Sequence, residues 1–423
     1  MQGGDMRILL WHGYLLGGTG SNVYTRALAR EWSLQGHEVV VVCQEPAPEQ
    51  YDLGGAQVVR PALPGGLLPV FVLDRYEGLT ARLLQDFTAA ERAAYVEANV
   101  EALRALLPAE LVFTNHVLMG GAVGAGVGER FRVKAHGSEL EYSMRGRPEL
   151  EAWGREVLAP AEAVFVGSQH IRRVLAEVTG HVDSVLEVPP GVDVDAFVPQ
   201  SRAAALADLV AEARNDLPNP GNVAERLPDE GNAERLAAFL AGERPTVVYF
   251  GKLIENKGVQ LLLEALASLE ARAVIVGFGD YRGELEARAA ALPPGRVLFT
   301  GPLEHRHLVH LLPLADAAVV PSIFPEAFGM VAAEAAACGC PPLVARHSGL
   351  AEVAAGLEES YPVHLRGLAS FTTGDAAELR EKLAELLALP DSDRQAIRAA
   401  ARATACERWS WAGVAARLLA PVA

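Results

Sequence analysis

Residues 246–258 read TVVYFGKLIENKG, and the fold turns on how that stretch is read. Five apolar or β-branched residues (246–250) suit a strand buried on both faces, as in a parallel sheet. A glycine-bounded loop follows, and apolar runs recur at 273–276, 297–299 and 317–320, separated by segments of helical spacing. Upstream, the same rhythm has already run once. Runs at 7–11, 39–42, 58–60, 111–114, 131–135 and 164–167 alternate with helical patterns. One pattern passes through Val23, Ala27, Leu28 and Trp32 and ends at Gly36; another covers 91–107. Strand alternating with helix implies a parallel sheet covered on both faces. Its restart implies two doubly wound α/β domains.

The expected partition is a first domain over 1–195 and a second over 246–400. Between them, 196–245 reads as a linker with an inserted helical segment, since 216–222 is DLPNPGN. A C-terminal helix over 401–423 is expected to pack at the domain junction through Trp409 and Trp411.

Composition narrows the function. The chain has 423 residues, half of them hydrophobic, enough for two or three cores. A net charge of −16 is the wrong sign for a protein built to grip nucleic acid. Four cysteines cannot form a disulfide framework, so a reducing cytoplasm is the expected compartment. No apolar run approaches the roughly 18 residues of a membrane span, and the N-terminus lacks a signal-peptide pattern. Only four of the 37 basic residues are lysines: Lys134, Lys252, Lys257 and Lys382. Against that bias a lysine marks a place where arginine serves badly.

Three segments carry chemistry. After the first strand, 17–21 read GGTGS, a loop whose backbone can approach a phosphate at a helix N-terminus. From Gly18 the chain lacks the third glycine of the dinucleotide fingerprint, which disfavours NAD(P); a tight turn without ligand is the competing reading. After the strand 246–250, Lys252 and Lys257 lie where α/β folds bind ligands, and two ammonium groups there suit a diphosphate. The third segment, PSIFPEAFGM over 321–330, leads into a helix holding Glu334. Gly329 lets the backbone approach a ligand. Amides from Ala327 through Phe328, Gly329 and Met330 to Val331 can hold an anion, while Glu326 and Glu334 accept bonds from sugar hydroxyls. Donors for phosphate beside acceptors for hydroxyls describe a nucleotide-sugar site.

These segments resemble the family-4 retaining glycosyltransferases of the GT-B fold, two Rossmann-like domains facing across a cleft. Glu326 and Glu334 match the family's E-x7-E motif within PEAFGMVAAEAAACGCPPLVA (325–345). Residues 251–258 match its G-R-L…K-G segment with Lys252 in place of arginine. The loop 17–20 with LARE-x4-GHEVVVV matches its N-terminal signature. His136-Gly137-Ser138 resembles its histidine-glycine segment, and 189–193 its P-N-G-V-D turn, with proline for asparagine.

The resemblance implies roles. Lys252 and Lys257 would neutralise the departing diphosphate; Glu326 would lie by the transferred sugar and Glu334 at the ribose. Gly18 would face the diphosphate from the opposite domain, His136 would lie beside the anomeric centre, and Leu303 would line the base pocket. Gly17, Thr19, His116 and Glu139 are candidates for the acceptor site. The resemblance further implies a UDP-sugar donor and front-face substitution with retention, assisted by neither metal nor cofactor. A GT-B nucleotide-sugar isomerase or a retaining sugar phosphorylase is the alternative, and a non-catalytic sugar-binding module a third reading.

The acceptor is expected to be small or sugar-like and soluble. Residues 1–195 carry 16 basic and 25 acidic side chains, and 70–110 carry four arginines against seven acids. That surface repels anionic lipid. Arg130, Arg132, Lys134, Arg145 and Arg147 form a local basic cluster that tempers this and is equally able to hold an anionic group of the acceptor. His305, His307 and His310 are expected to point apart on a helix surface, and Cys338 and Cys340 to pack at a helix end.

Overall fold

The apolar runs form two all-parallel sheets. A computed structural model describes residues 5–17, 20–71 and 78–422. The first sheet comprises β1 (Arg7–Trp11), β2 (Glu38–Val42), β3 (Gln57–Val59), and, after the two-stranded ribbon β4 (Leu67–Val70) and β5 (Thr80–Leu83), β6 (Leu111–Asn115), β7 (Phe131–Lys134), β8 (Ala163–Val166) and β9 (Val185–Glu187). Its spatial order is β3-β2-β1-β6-β7-β8-β9. The second contains β10 (Thr246–Phe250), β11 (Arg272–Val276), β12 (Val297–Phe299), β13 (Ala317–Val320), β14 (Pro342–Ala345) and β15 (Ser370–Phe371), in the order β12-β11-β10-β13-β14-β15.

In each sheet the strand order reverses once, at β1/β6 and at β10/β13. Loops leaving the carboxyl ends of strands on either side of such a point splay apart and leave a crevice for a ligand. The central strands earn their position by composition: β6, β10 and β11 are buried at every residue. Strands covered on both faces cannot alternate polar and apolar side chains.

The chain divides into a unit of Met1–Gly191 with Trp411–Ala423 and a second unit of Val192–Ser410. Two features depart from the expected partition. Residues 196–245 are part of the second unit, where the helices Arg202–Ala213 and Asn232–Leu240 bury Ala205, Leu209, Ala213, Ala233, Leu236 and Leu240 in its core. Arg272 secures the second of these helices by donating to the carbonyls of Phe239, Leu240 and Ala241, acceptors that a helix C-terminus leaves unsatisfied. The C-terminal helix is two helices, Asp391–Trp409 and Trp411–Leu419, broken at extended Ser410. Trp409 packs edge-on to Phe328 within the second unit, and Trp411 packs edge-on to Tyr24 within the first. The tryptophans therefore anchor separate cores, and the helix Trp411–Leu419 is fastened by Trp32 Nε1 donating to the Ala415 carbonyl (3.1 Å).

Candidate functional site

The second unit's site grows from the loops after β10 and β13. Gly258 lies at φ +70°, and a Cβ there would fall 1.9 Å from the Pro321 carbonyl oxygen. Only glycine lets the two loops approach so closely. They are then laced together: the Ile323 amide donates to the Asn256 carbonyl at 2.9 Å, and the Ser322 hydroxyl to the same oxygen at 3.3 Å. Lys257 and Glu326, one from each loop, form an ion pair and hydrogen bond. Lys252 is exposed and has no ion pair among the described residues.

Glu326 is held from the backbone as well. Its amide donates to the Ser348 hydroxyl (2.8 Å), and its carbonyl accepts from the Gly349 amide (3.0 Å). Ser348 has φ +45°, uncommon for a residue with a Cβ, and its hydroxyl also contacts His347 Nδ1 at 3.0 Å. His347 Nε2 in turn bonds the Ser322 carbonyl at 2.7 Å. This His347-Ser348-Gly349 brace, after β14, escaped the sequence reading because none of the three residues carries a ligand-binding signature alone.

Beyond Glu326, Ala327 is exposed and Phe328 turns into the core. Gly329 takes φ +120° and ψ 51° before the helix Met330–Ala337. Among the described residues, the amides of Phe328, Gly329, Met330 and Val331 donate to no backbone acceptor, and the helix dipole favours an anion there. One helical turn on, Glu334 is 6% exposed, with His305 Nε2 at 3.3 Å from its Oε1. Leu303 packs against the core two residues before His305.

The three histidines at 305, 307 and 310 do diverge, but His307 is buried rather than on the surface. Its Nε2 meets Asp216 at 2.9 Å, in a network with Arg306 that ties the inserted segment down. His310 Nδ1 meets the Gln200 side chain at 3.0 Å. Cys338 and Cys340 are buried free thiols at the helix end.

In the first unit, three histidines follow the carboxyl ends of β1, β6 and β7. His12 Nε2 pairs with Asn22 Oδ1 at 2.8 Å, and His136 Nε2 with Asn115 Oδ1 at 2.9 Å. His116 sits among them at φ +75°, its ring centroid 4.8 Å from His136, 4.9 Å from Phe71 and 5.1 Å from Tyr14. Neither His116 ring nitrogen has a hydrogen-bond partner among the described residues. Burial lowers the pKa of all three, that of His12 to about 4, so the cluster is neutral at physiological pH.

Glu139 is buried, and burial raises its pKa to about 8 against the pull of two amides. Those amides, Val117 and Leu118, donate to its oxygens at 2.5 and 2.7 Å and open the helix Leu118–Val127. Its carboxylate therefore caps a helix beside His116, with Nδ1 at 3.9 Å, rather than facing outward as an acceptor group. Gly17 precedes the helix Gly20–Leu34, and its carbonyl accepts from the Asn22 amide group. Gly18 and Thr19 lie outside the described residues, as do Asp74, Arg75 and Glu77 of the acidic stretch.

The basic cluster that could have held an anionic group is largely paired internally. Arg130 and Arg132 pair with Glu162, Arg145 with Glu141 and Glu177, and Arg147 donates to the Tyr142 and Ser143 carbonyls. Lys134 is buried with its Nζ 2.8 Å from the Val188 carbonyl, and burial lowers its pKa to about 7.

Residues 18–196 match the family described as Glycosyltransferase Family 4, and 233–403 that described as Glycosyl transferases group 1. The chain is 29% identical over 419 residues to a D-inositol 3-phosphate glycosyltransferase of Xylanimonas cellulosilytica, covering 95% of this chain and 90% of that one. It is 28% identical to a GDP-mannose-dependent alpha-(1-6)-phosphatidylinositol monomannoside mannosyltransferase of Mycolicibacterium smegmatis, over 71% of this chain and 72% of that protein. Among solved structures, Anabaena HepE in complex with UDP superposes with a TM-score of 0.69 at 18% identity, over 98% of both chains. Sucrose-phosphate synthase from Thermosynechococcus elongatus gives 0.68 at 20% identity, over 98% of this chain and 97% of that one. With two Rossmann-like units and family matches that together span most of its length, the chain is a glycosyltransferase of family 4 with the GT-B fold.

Proposed function

We propose that this glycosyltransferase moves a hexose from a nucleoside-diphosphate sugar, UDP-sugar first among those to test, to a hydroxyl of a small polar acceptor with retention at the anomeric carbon. The observation that carries the donor reading is the Lys257–Glu326 pair, set by two interlocked loops at the second unit's switch point. The diphosphate takes over the Lys257 ammonium, Lys252 adds a second cation, and the amides of Phe328 to Val331 hold the anionic end. Negative charge grows on the diphosphate as the glycosidic bond breaks. Fixed cations and amide dipoles stabilise that growth without reorganising, which is usually the largest catalytic contribution. No metal is required by this scheme. Glu334 accepts from the ribose hydroxyls, and Leu303 borders the base.

Retention through a covalent intermediate would need a carboxylate nucleophile at the sugar. Glu139, the carboxylate beside His116, has its oxygens engaged by helix amides, which favours front-face substitution. There the departing diphosphate takes the acceptor proton, and His136 and His116 offer neutral nitrogens to acceptor hydroxyls. An uncharged imidazole cluster suits a polyol or sugar, and the relative matched over 95% of this chain is named a D-inositol 3-phosphate glycosyltransferase. No helix of the described residues is long and apolar enough to cross a membrane. The acidic first half and the internally paired arginines support a water-soluble acceptor, and the four free thiols suit the cytoplasm.

Product analysis by NMR, with and without acceptor, tests the reading. Acceptor-dependent release of the nucleoside diphosphate with an unchanged anomeric configuration is expected. Rearranged donor without acceptor would indicate an isomerase, a sugar phosphate formed only with inorganic phosphate a phosphorylase, and inversion would refute front-face retention. Salt-sensitive co-pelleting with anionic liposomes would overturn the soluble acceptor.

A further inference from the structure

We propose that His305 is a positioning residue for nucleotide recognition, holding the Glu334 carboxylate in the orientation that receives the ribose hydroxyls. The inference deepens the donor reading and rests on its assignment of Glu334 to the ribose. Three observations carry it. His305 Nε2 lies 3.3 Å from Glu334 Oε1, within ion-pair reach, and among the described residues no other side chain forms an ion pair or hydrogen bond with that carboxylate. The imidazole is itself held, edge-on to the buried Phe197 with centroids 5.3 Å apart. The two exposures then differ in a telling way: the His305 side chain is half exposed, at 50%, and that of Glu334 is at 8%.

A carboxylate that is nearly buried must be hydrogen-bonded, and it needs a fixed rotamer to receive two vicinal hydroxyls at once. Its own backbone offers no such brace, because Glu334 sits in the interior of the helix Met330–Ala337. His305, entering from the first turn of the helix His305–Leu311, supplies it from outside. One carboxylate oxygen is thereby pinned and the other is left for the ligand. The restraint acts on the ribose alone; it touches neither the phosphates nor the reacting sugar.

The test separates the donor N–H from the ring. His305→Phe keeps an aromatic edge against Phe197 and removes the nitrogen, whereas His305→Gln keeps an amide donor at similar reach and removes the ring. Calorimetric affinities are measured for UDP and GDP and for their 2′,3′-dideoxy counterparts. We expect His305→Phe to weaken binding of the preferred ribonucleotide roughly tenfold, as for loss of one hydrogen bond to a charged group. His305→Gln should restore it to within about threefold, and wild type and His305→Phe should bind the dideoxy form alike. In turnover, the loss should fall on the donor KM with kcat nearly unchanged.

Glu334→Ala is the control, and it should weaken the ribonucleotide while leaving the dideoxy form unaffected. If Glu334→Ala discriminates and His305→Phe weakens both nucleotides equally, or Gln fails to rescue, the role of His305 is wrong and the ribose assignment stands. If Glu334→Ala shows no discrimination, the ribose assignment falls and the inference falls with it.

Discussion

Replacing Glu326 with glutamine separates two things that the wild-type site couples. Glu326 and Lys257 pair in the unliganded site, with side chains 22% and 30% exposed. The incoming diphosphate must therefore compete for an ammonium that already has a partner. Ion pairs of this partial exposure are worth about 0.5–1 kcal/mol, since water screens them and ordering two side chains opposes them. Glutamine keeps the shape of the side chain and the backbone bonds to Ser348 and Gly349, and removes the competing charge. Free UDP or GDP should accordingly bind Glu326→Gln roughly two- to fivefold more tightly than wild type. Turnover should fall in the opposite direction, by about 100-fold or more, if the carboxylate removed is the one proposed to face the reacting sugar. The assay pairs calorimetric Kd values for the nucleoside diphosphate with steady-state kinetics on the same preparations. Combining Glu326→Gln with Lys257→Ala should abolish the gain in affinity. A Glu326→Gln enzyme that loses nucleotide affinity in proportion to its turnover would refute the reasoning, because Glu326 would then be a donor-binding group rather than a competitor for Lys257.

Other outcomes follow from the same geometry. Lys257→Ala should lower kcat/KM on the order of 100-fold, as for loss of one stabiliser of developing charge, whereas Lys252→Arg should keep substantial activity; parallel steady-state kinetics decide both. Gly258→Ala places a Cβ at φ +70° against the Pro321 carbonyl, costing roughly 1–2 kcal/mol for the backbone alone. It should lower Tm by several degrees and remove the stabilisation by UDP, and an unchanged melting profile would contradict the close approach of the two loops. The buried histidines make stability depend on pH. His12 titrates near 4 when folded and near its ordinary 6.5 when unfolded, so its contribution is full above pH 6.5 and is lost as pH falls toward 4. The slope should be at most about 1.4 kcal/mol per pH unit for each such histidine. Glu139, raised to about 8, acts oppositely between pH 4.5 and 8 by favouring the fold at the acid end. Urea denaturation of wild type and His12→Asn from pH 4 to 7 should show a shallower dependence in the variant.

The fold was legible in the strands because a parallel sheet buried on both faces writes itself as uninterrupted apolar runs. β1, β2, β6 and β10 to β13 follow that pattern closely. β14 was not legible: it opens on Pro342, which reads as a helix stop, yet proline is tolerated as the first residue of a strand. β15 has two residues, too few for any period. The segment 196–245 reads as a linker from its prolines and asparagines, whereas its two helices hold a core through alanine and leucine faces only nine and twelve residues long. At the site, the residues that carry formal charge or glycine flexibility were visible by type. What supports them was not. Ser348 braces Glu326 from 22 residues away, and His305 reaches Glu334 from another helix. Such pairings depend on the sheet order that brings loops together. Glu139 shows the reverse case, a carboxylate near the His136-Gly137-Ser138 segment that the fold uses as a helix cap. The arginines at 130, 132, 145 and 147 likewise read as a basic patch and prove to be internally paired.

The loops after β10 and β13 are proposed to bind a nucleoside-diphosphate sugar through Lys257. Thermal shift against a panel of UDP-, GDP- and ADP-sugars, run on wild type and Lys257→Ala together, tests it most directly. A ligand at about 100 times its Kd stabilises the folded state by about 2.7 kcal/mol, so one member of the panel should raise the wild-type Tm by several degrees and leave Lys257→Ala almost unmoved. Wild-type protein indifferent to every donor, or an equal shift in the variant, would contradict the account.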